Sequence, residues 1–420
     1  MLAVFLAPAP RGVEFAWNLS MALGLAGLSM MGIQFALTAR LRAATAPFGA
    51  DLVYVFHRYL ALIGFSLVGL HFLILWLFYS DALGSLDPRV AAWELTVARI
   101  ALVAFGLAVV TAEFRKTLRL EYGLWRYLHV GLAILGLVAA VAHVIGTGRF
   151  SQMSPGTAIW ATTTAFWMGV VVWLRLAKPW RLQRRPYEVV EVREERGGAW
   201  TLALVPKEQP TIKAFSPGQF AWLNLRSSPW ELQDHPFSIS SLPGLLPRIE
   251  MTIKPLGDFT ATVGDVPVGQ TAWLDGPFGV FSTDRYPDAP GFVYVAGGIG
   301  ITPVMSMLRA LADQGDQRPL WLFYANPDWN SVTFREELDD LASQLDLTII
   351  HVVEEPSPDY SGLTGLLDVT ILIRHLPDER PAGFRYFLCG PVPLTDAAEA
   401  ALVEMGVIPS HIRTELFELA

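Results

Sequence analysis

Cysteine is nearly missing from this chain: Cys389 is the only one among 420 residues. That excludes an internal disulfide and any zinc or iron–sulfur centre held by several thiolates. Positive charge is short as well. Lys and Arg number 31 against 39 Asp and Glu, a formal net charge of −8, and the isoelectric point near 5.5 argues against nucleic acid as a partner. No low-complexity tract, repeat or block of like charge is present. The opening residues 1 to 11, MLAVFLAPAPR, lack the basic start and small-residue cleavage site of a signal peptide, and their apolar part is too short to span a membrane. They read as a loose leader or a reduced half-helix. Charged residues of both signs make up only 17% of the chain, whereas 52% of residues are hydrophobic. With a mean hydropathy of +0.39, the chain is too apolar for a purely soluble protein and too long for one ordinary domain.

What is present begins with long apolar runs. Residues 52 to 79, LVYVFHRYLALIGFSLVGLHFLILWLFY, hold one formal charge, Arg58, and two histidines; the run exceeds the roughly 20 residues that a spanning helix needs. His57 and His71 stand fourteen positions apart, which on a helix returns them to within about 40° of one face and separates them by about 21 Å. Residues 125 to 147 repeat the arrangement with His129 and His143 at the same spacing. Intramembrane polar side chains are costly and call for partners. A lone histidine of this kind usually bonds a neighbouring helix, but two matched pairs favour haem iron, which takes axial imidazole nitrogens. Two helices with an upper and a lower histidine each would clamp two haems stacked across the bilayer.

Five spans are expected, at about 15–38, 52–79, 92–113, 125–147 and 157–176. Arg40 and Arg42 follow the first span, Arg115, Lys116, Arg119 and Arg126 lie between the third and fourth, and Arg175, Lys178, Arg181, Arg184 and Arg185 follow the fifth, all on one side, whereas the loops at 80–91 and 148–156 hold one arginine each. Short cytoplasmic loops are enriched in Lys and Arg, which puts the N-terminus outside and the C-terminal half in the cytoplasm of a multi-pass protein of the cell membrane. His57 and His129 then share the inner level, His71 and His143 the outer. Arg99, about two turns inside the outer boundary, either neutralises a haem propionate, helps hold an anionic product, snorkels to the interface or pairs with Glu94.

From residue 186 short alternating strands punctuated by Gly and Pro predict a small antiparallel barrel ending near DGPFGVF, 275–281. Buried strands followed by glycine turns and helices come next, as in GFVYVAGGIGITPVMSMLRAL, and predict a parallel α/β sheet. The segment HPFSISS, 235–241, offers a strand edge whose hydroxyls and peptide groups suit the polar rim of a flavin, although any strand entry can look like this. IKPLGDFT, 253–260, supplies Lys254, Gly257 and Thr260 for a pyrophosphate approached by backbone, or is a simple turn between strands. In AGGIGITP, 296–303, glycines between a strand and a helix let amides approach a phosphate at the helix start.

GQFAWL at 218, HPFSISS, GGIGITP, CGP at 389–391 and a closing ELF together resemble the ferredoxin-NADP reductase-like module. Joined to the membrane histidine pairs, that module resembles the NADPH oxidase and ferric reductase superfamily, particularly the short bacterial NADPH oxidases. The resemblance implies a multidomain membrane protein. An α-helical transmembrane bundle of about five spans, residues 1–180, binds two haems; an antiparallel β-barrel FAD domain covers 186–285; an α/β parallel-sheet nucleotide-binding domain covers 290–420. It implies that His235, Pro236, Phe237, Ser238, Ile239 and Ser240 contact the flavin of FAD, with Lys254, Gly257 and Thr260 near its phosphates. Gly297, Gly298, Gly300, Thr302 and Pro303 would hold the nicotinamide nucleotide, with Cys389, Gly390 and Pro391 flanking the nicotinamide. It implies Phe417 and Cys389 as the catalytic residues: Phe417 would cover the flavin ring and move aside for hydride transfer, or anchor the last strand, and Cys389 is equally a small buried hydrophobe.

Two departures stand out. The superfamily's transmembrane core has six helices, and here the first is reduced to MLAVFLAPAP. In FYANPDW, 323–329, Asn326, Pro327 and Asp328 stand where an arginine is frequent in NADPH-using relatives; Asp328 would accept from a ribose 2′-hydroxyl and repel a 2′-phosphate. The implied activity is transfer of electrons from NADPH or NADH through FAD and two b-type haems to oxygen outside, giving superoxide. The alternatives are reduction of a ferric chelate and supply of electrons to a partner redox protein. No calcium-binding loop or added regulatory domain is visible, so no obligatory regulatory subunit is expected.

Overall fold

The computed structural model describes residues 15–40, 50–148, 155–225, 228–356, 360–376 and 383–417; the leader at 1 to 11 lies outside them. The chain divides into two compact units, residues 1–45 with 52–179, and residues 46–51 with 180–420.

In the first unit five helices among the described residues are long and apolar enough to cross a membrane. They are α1 (Phe15–Leu37), α2 (Ala50–Phe78), α3 (Trp93–Glu113), α4 (Tyr122–Gly146) and α5 (Pro155–Val172), the last running on through a π turn at Trp173–Ala177 into Lys178–Gln183. A helix satisfies its backbone internally, which is why uninterrupted apolar runs of this length take no other form in lipid. Small residues set the packing. Gly136 of α4 lies against the Phe105 ring of α3, and Gly27 of α1 against Val68 and the Gly64 carbonyl of α2, where any β-carbon would overlap them. Ala101, Ala104 and Ala108 bury the facing side of α3. Large side chains such as Trp76 and Phe78 of α2 stay exposed for lipid, at 59% and 65%. The formal charge inside the second run is compensated, since the Arg58 guanidinium donates to Glu113 of α3 at 2.5 and 3.2 Å.

The second unit holds two six-stranded sheets. β1 (Tyr187–Glu194), β2 (Trp200–Pro206), β3 (Phe220–Leu225), β4 (Asp234–Ser238), β5 (Ile249–Ile253) and β6 (Thr271–Phe278) form an antiparallel sheet in the order β4-β3-β6-β1-β2-β5. Alternation sends Tyr187, Val189, Leu202, Leu204, Leu223, Ile249 and Met251 into one core. The expected barrel takes the form of this sheet with its edge strands meeting at one bridge, Ile239 to Met251.

The other sheet is parallel: β7 (Phe292–Gly297), β8 (Leu320–Asn326), β9 (Leu347–Val353), β10 (Leu363–Thr364), β11 (Arg385–Gly390) and β12 (Ile412–Leu416) lie in the order β10-β9-β8-β7-β11-β12. Helices α6 (Ile301–Asp313), α7 (Arg335–Gln344), α8 (Val369–His375) and α9 (Val392–Glu404) cover it. Its strands are buried on both faces, hence the unbroken apolar runs. The chain builds outward from β7 in one direction through β8 and β9, and in the other through β11. The strand order therefore reverses between β7 and β11, and in open α/β sheets ligands bind beyond the carboxyl ends at such a reversal.

Candidate functional site

Three local arrangements concentrate the chemistry. In the first unit α2 carries His57 and His71, and α4 carries His129 and His143. The rings of His57 and His129 face each other with centroids 6.3 Å apart and planes at 70°. Two imidazoles sharing one iron through Nε2 have centroids about 6 Å apart, given metal–nitrogen bonds of about 2 Å. Backbone carbonyls take the other ring nitrogen: His71 Nδ1 lies 2.9 Å from Ser20 O, His129 Nδ1 3.2 Å from Ala108 O, and His143 Nδ1 2.9 Å from Glu94 O. A carbonyl only accepts, so Nδ1 carries the proton at these three and Nε2 keeps a free lone pair, the orientation that metal-ligating histidines need. His57 Nδ1 is buried without a partner. Among the described residues, no group of three or more His, Cys, Asp or Glu could hold a bare metal ion. Paired ligands suit a haem, whose macrocycle supplies the other four, and the residues fit that group. Arg99 is drawn elsewhere: its Nη2 donates to the Leu83 carbonyl at 2.6 Å.

The second arrangement lies on β4. His235, Pro236 and Phe237 are half-buried at the sheet edge, and Ser238, Ile239 and Ser240 are buried. The His235 ring is stacked on Phe259 at 4.0 Å between centroids. In the neighbouring turn the Thr260 hydroxyl accepts from the Leu256 and Gly257 amides at 2.8 and 2.9 Å and donates to the Gly257 carbonyl. The two residues expected at a phosphate thus bond each other here, beside a half-buried Lys254.

The third lies at the strand reversal. Gly297 ends β7, Gly298 takes a left-handed φ of 51°, and a β-carbon on Gly300 would overlap the Cys389 carbonyl. In register, Cys389 stands beside Ala296 and Gly390 beside Leu416. The backbones of GGIG and CGP therefore meet, and Phe417, 38% exposed, leaves β12 next to them. That exposure is unlike a core anchor. Thr302 and Pro303 are buried in the first turn of α6, with the Thr302 hydroxyl bonded to the Ile299 carbonyl at 3.0 Å, so this turn offers its amides and not that side chain. Cys389 requires a correction as a catalytic side chain. It is fully buried in the core under β7, burial and nearby Glu415 push its thiol well above the usual range, and only its backbone lies at the cleft.

Matches to known families follow the same division. Residues 23–140 match the model of a ferric reductase like transmembrane component, 200–281 that of an FAD-binding domain, and 294–400 that of an oxidoreductase NAD-binding domain. The chain has the architecture of the NADPH oxidase and ferric reductase superfamily. The chain is 32% identical over 244 residues to the ferredoxin reductase component of 3-ketosteroid-9-alpha-monooxygenase from Mycolicibacterium smegmatis, covering 55% of this chain and 65% of that protein. It is 29% identical over 247 residues to the glycine betaine monooxygenase reductase subunit from Chromohalobacter salexigens, covering 57% of this chain and 65% of that one. The match thus spans just under two thirds of those relatives. In fold, the chain is similar to flavohemoglobin from Malassezia yamatoensis, with a TM-score of 0.52, 18% identity, and coverage of 96% of this chain and 98% of that one.

Within this superfamily architecture, sequence reasoning missed the residues that join the FAD-binding domain to the NAD-binding domain. Arg309 of α6 donates from Nη1 to the Ser240 carbonyl at 2.6 Å and grips Glu337 through Nε and Nη2, both at 2.6 Å. Ser306 donates to the Ser241 carbonyl at 2.7 Å. The helix that starts at the glycine turn is thereby fastened, about 12 Å further along, to the end of HPFSISS. Neither contact has a local signal, because the partners lie 65 or more positions apart; Phe259, the ring on His235, comes from the next strand-to-turn segment and carries no local signal either.

Proposed function

We propose that the chain is a transmembrane NAD(P)H oxidase, taking electrons from NAD(P)H at the cytoplasmic module and delivering them to oxygen on the outer side as superoxide. The balance is one NAD(P)H and two oxygen molecules giving NAD(P)⁺, one proton and two superoxide ions. When bound, FAD supplies the exchange between a two-electron donor and one-electron carriers, and the two haems supply the path across the bilayer.

The single observation that carries this reading is the pair of facing imidazoles, His57 and His129, in a chain that also holds FAD-binding and NAD-binding domains. In it, His57 and His129 hold the inner iron and His71 and His143 the outer one. The carbonyls of Ser20, Glu94 and Ala108 fix the rings against rotation. HPFSISS cradles the flavin rim, Phe417 shields its face, the GGIG amides bind the nucleotide phosphates, and the Cys389–Pro391 backbone borders the nicotinamide. The basic residues at Arg40, Arg115, Lys116, Arg119 and Arg126 support the orientation, with the N-terminus outside.

Ferric-chelate reduction is the second reading, favoured by the ferric reductase like model over 23–140. Electron supply to a partner redox protein is a third, since the relatives above are reductase components. All three require the same relay. The purified protein should contain two haems per chain by pyridine haemochrome assay, both reduced by NAD(P)H without oxygen once FAD is supplied. One haem or none, or haems that NAD(P)H leaves oxidised, would contradict the relay.

A further inference from the structure

The carboxyl edge of β8 and β9, beside the glycine turn, is acidic and holds an unsatisfied amide. Asn326 ends β8, is 2% exposed, and neither its Nδ2 nor its Oδ1 has a hydrogen-bond partner. The neighbouring Tyr324 hydroxyl donates to the Gly298 carbonyl at 3.1 Å and leans on the Thr333 carbonyl at 3.4 Å. A buried amide left unpaired costs about 1–3 kcal/mol, so the end of β8 is not a fully satisfied strand terminus. Two positions on, Asp328 Oδ1 accepts from the Asn330 and Ser331 amides at 2.8 and 2.9 Å, capping a short helical turn. The cap fixes the carboxylate and leaves Oδ2 outside those bonds. The chain after β9 runs alongside, because Glu354 N donates to Asn326 O at 3.1 Å and Glu355 N to Pro327 O at 2.7 Å. Both glutamates are exposed. Among the described residues, none of Asp328, Glu354 and Glu355 forms an ion pair. The nearby cation, Arg335, is engaged: its guanidinium lies 4.7 Å over the Trp329 ring, Nη1 donates to Trp329 O at 3.2 Å, and Nη2 meets Glu336 at 3.4 Å.

We propose that this edge receives the adenosine ribose of the nucleotide through a free 2′-hydroxyl and rejects a 2′-phosphate, so that NADH and not NADPH is the electron donor. This rests on reading the parallel-sheet domain as the site of the nicotinamide nucleotide. A ribose hydroxyl donates to a carboxylate, and Asp328 Oδ2 is the oxygen the cap leaves over. A 2′-phosphate would add close to two negative charges beside three carboxylates that form no ion pair among the described residues, while Arg335 is already bound to a ring, a carbonyl and a glutamate.

The test uses full-length, FAD-loaded protein in detergent. Flavin reduction is followed by stopped flow under NADH and NADPH, and 5′-ADP and 2′,5′-ADP are titrated as competitors. NADH should be preferred by on the order of tenfold or more in rate over dissociation constant, and 5′-ADP should compete at least as much better than 2′,5′-ADP. Asp328→Asn keeps an oxygen for the cap and should narrow the ratio several-fold; the double variant Glu354→Gln, Glu355→Gln should narrow it too. Equal or better use of NADPH overturns the proposal, most clearly if Arg335→Met then abolishes it. A preference that both acidic variants leave unmoved overturns it as well. If neither competitor binds and neither dinucleotide reduces the flavin, the nucleotide-site reading fails first and takes this inference with it.

Discussion

Leucine at position 57 or 129 should remove one of two haems and cut NAD(P)H-driven reduction of an external acceptor by at least about 100-fold. Leucine keeps the apolar volume in the span, so the helices still pack, but it offers no lone pair for iron. Flavin reduction by NAD(P)H should persist, because that chemistry belongs to the separate compact unit beyond residue 180. His71→Leu and His143→Leu should remove the other haem with the same split. The carbonyl partners make a finer distinction. His129 and His143 are oriented through Ala108 O and Glu94 O of α3, and α3 packs on α4 through Phe105 and Gly136. A bulky side chain at Gly136 should therefore broaden or shift the haem spectrum without removing either ligand. Unchanged haem content in all four leucine variants would mean that these histidines only bond their neighbouring helices.

Arg309→Met should destabilise the reductase unit by about 2–3 kcal/mol and lower its melting temperature by about 5–10 °C, read by flavin fluorescence or calorimetry. Methionine fills nearly the same space but cannot donate. The Arg309 side chain is 9% exposed whereas Glu337 is 40% exposed, so Glu337 is rehydrated and most of the loss falls on the Ser240 carbonyl and the charge-assisted bonds. Hydride transfer should slow by on the order of tenfold with a smaller change in nucleotide dissociation constant, since a loosened link misaligns donor and acceptor more than it weakens binding. Arg309→Lys should recover part of the rate, restoring one charged donor but not the two-pronged grip on Glu337. A Met variant with the wild-type hydride-transfer rate would leave Arg309 as a stabilising contact only.

Both results bear on how far this chain can be read before its fold is known. The fourteen-residue histidine spacing and the apolar runs are helix-periodic, and periodicity survives any tertiary arrangement. They located the spans to within about three residues at most ends, and the facing of His57 and His129 followed. GGIG and CGP were legible because close backbone approach demands glycine in the sequence itself. What stayed hidden is what only folding brings together: Phe259 stacked on His235, Arg309 and Ser306 reaching the carbonyls of Ser240 and Ser241 just past β4, and the carbonyls behind three histidines. Cys389 shows the opposite error, in which a motif residue was given a side-chain role while the fold buries its thiol and sets its carbonyl against Gly300. Gly257 and Thr260 differ again, since the motif is present but its groups bond each other.

The most direct test is reduction of cytochrome c by the purified, FAD-supplemented protein in air, under NADH and then NADPH, with and without superoxide dismutase. Abolition of the signal by the dismutase is the predicted result, because oxygen then accepts electrons singly beyond the outer haem. A rate that the dismutase leaves intact, or no rate from haems that still reduce anaerobically, would contradict oxygen as the acceptor and turn the assignment to a ferric chelate or a partner protein.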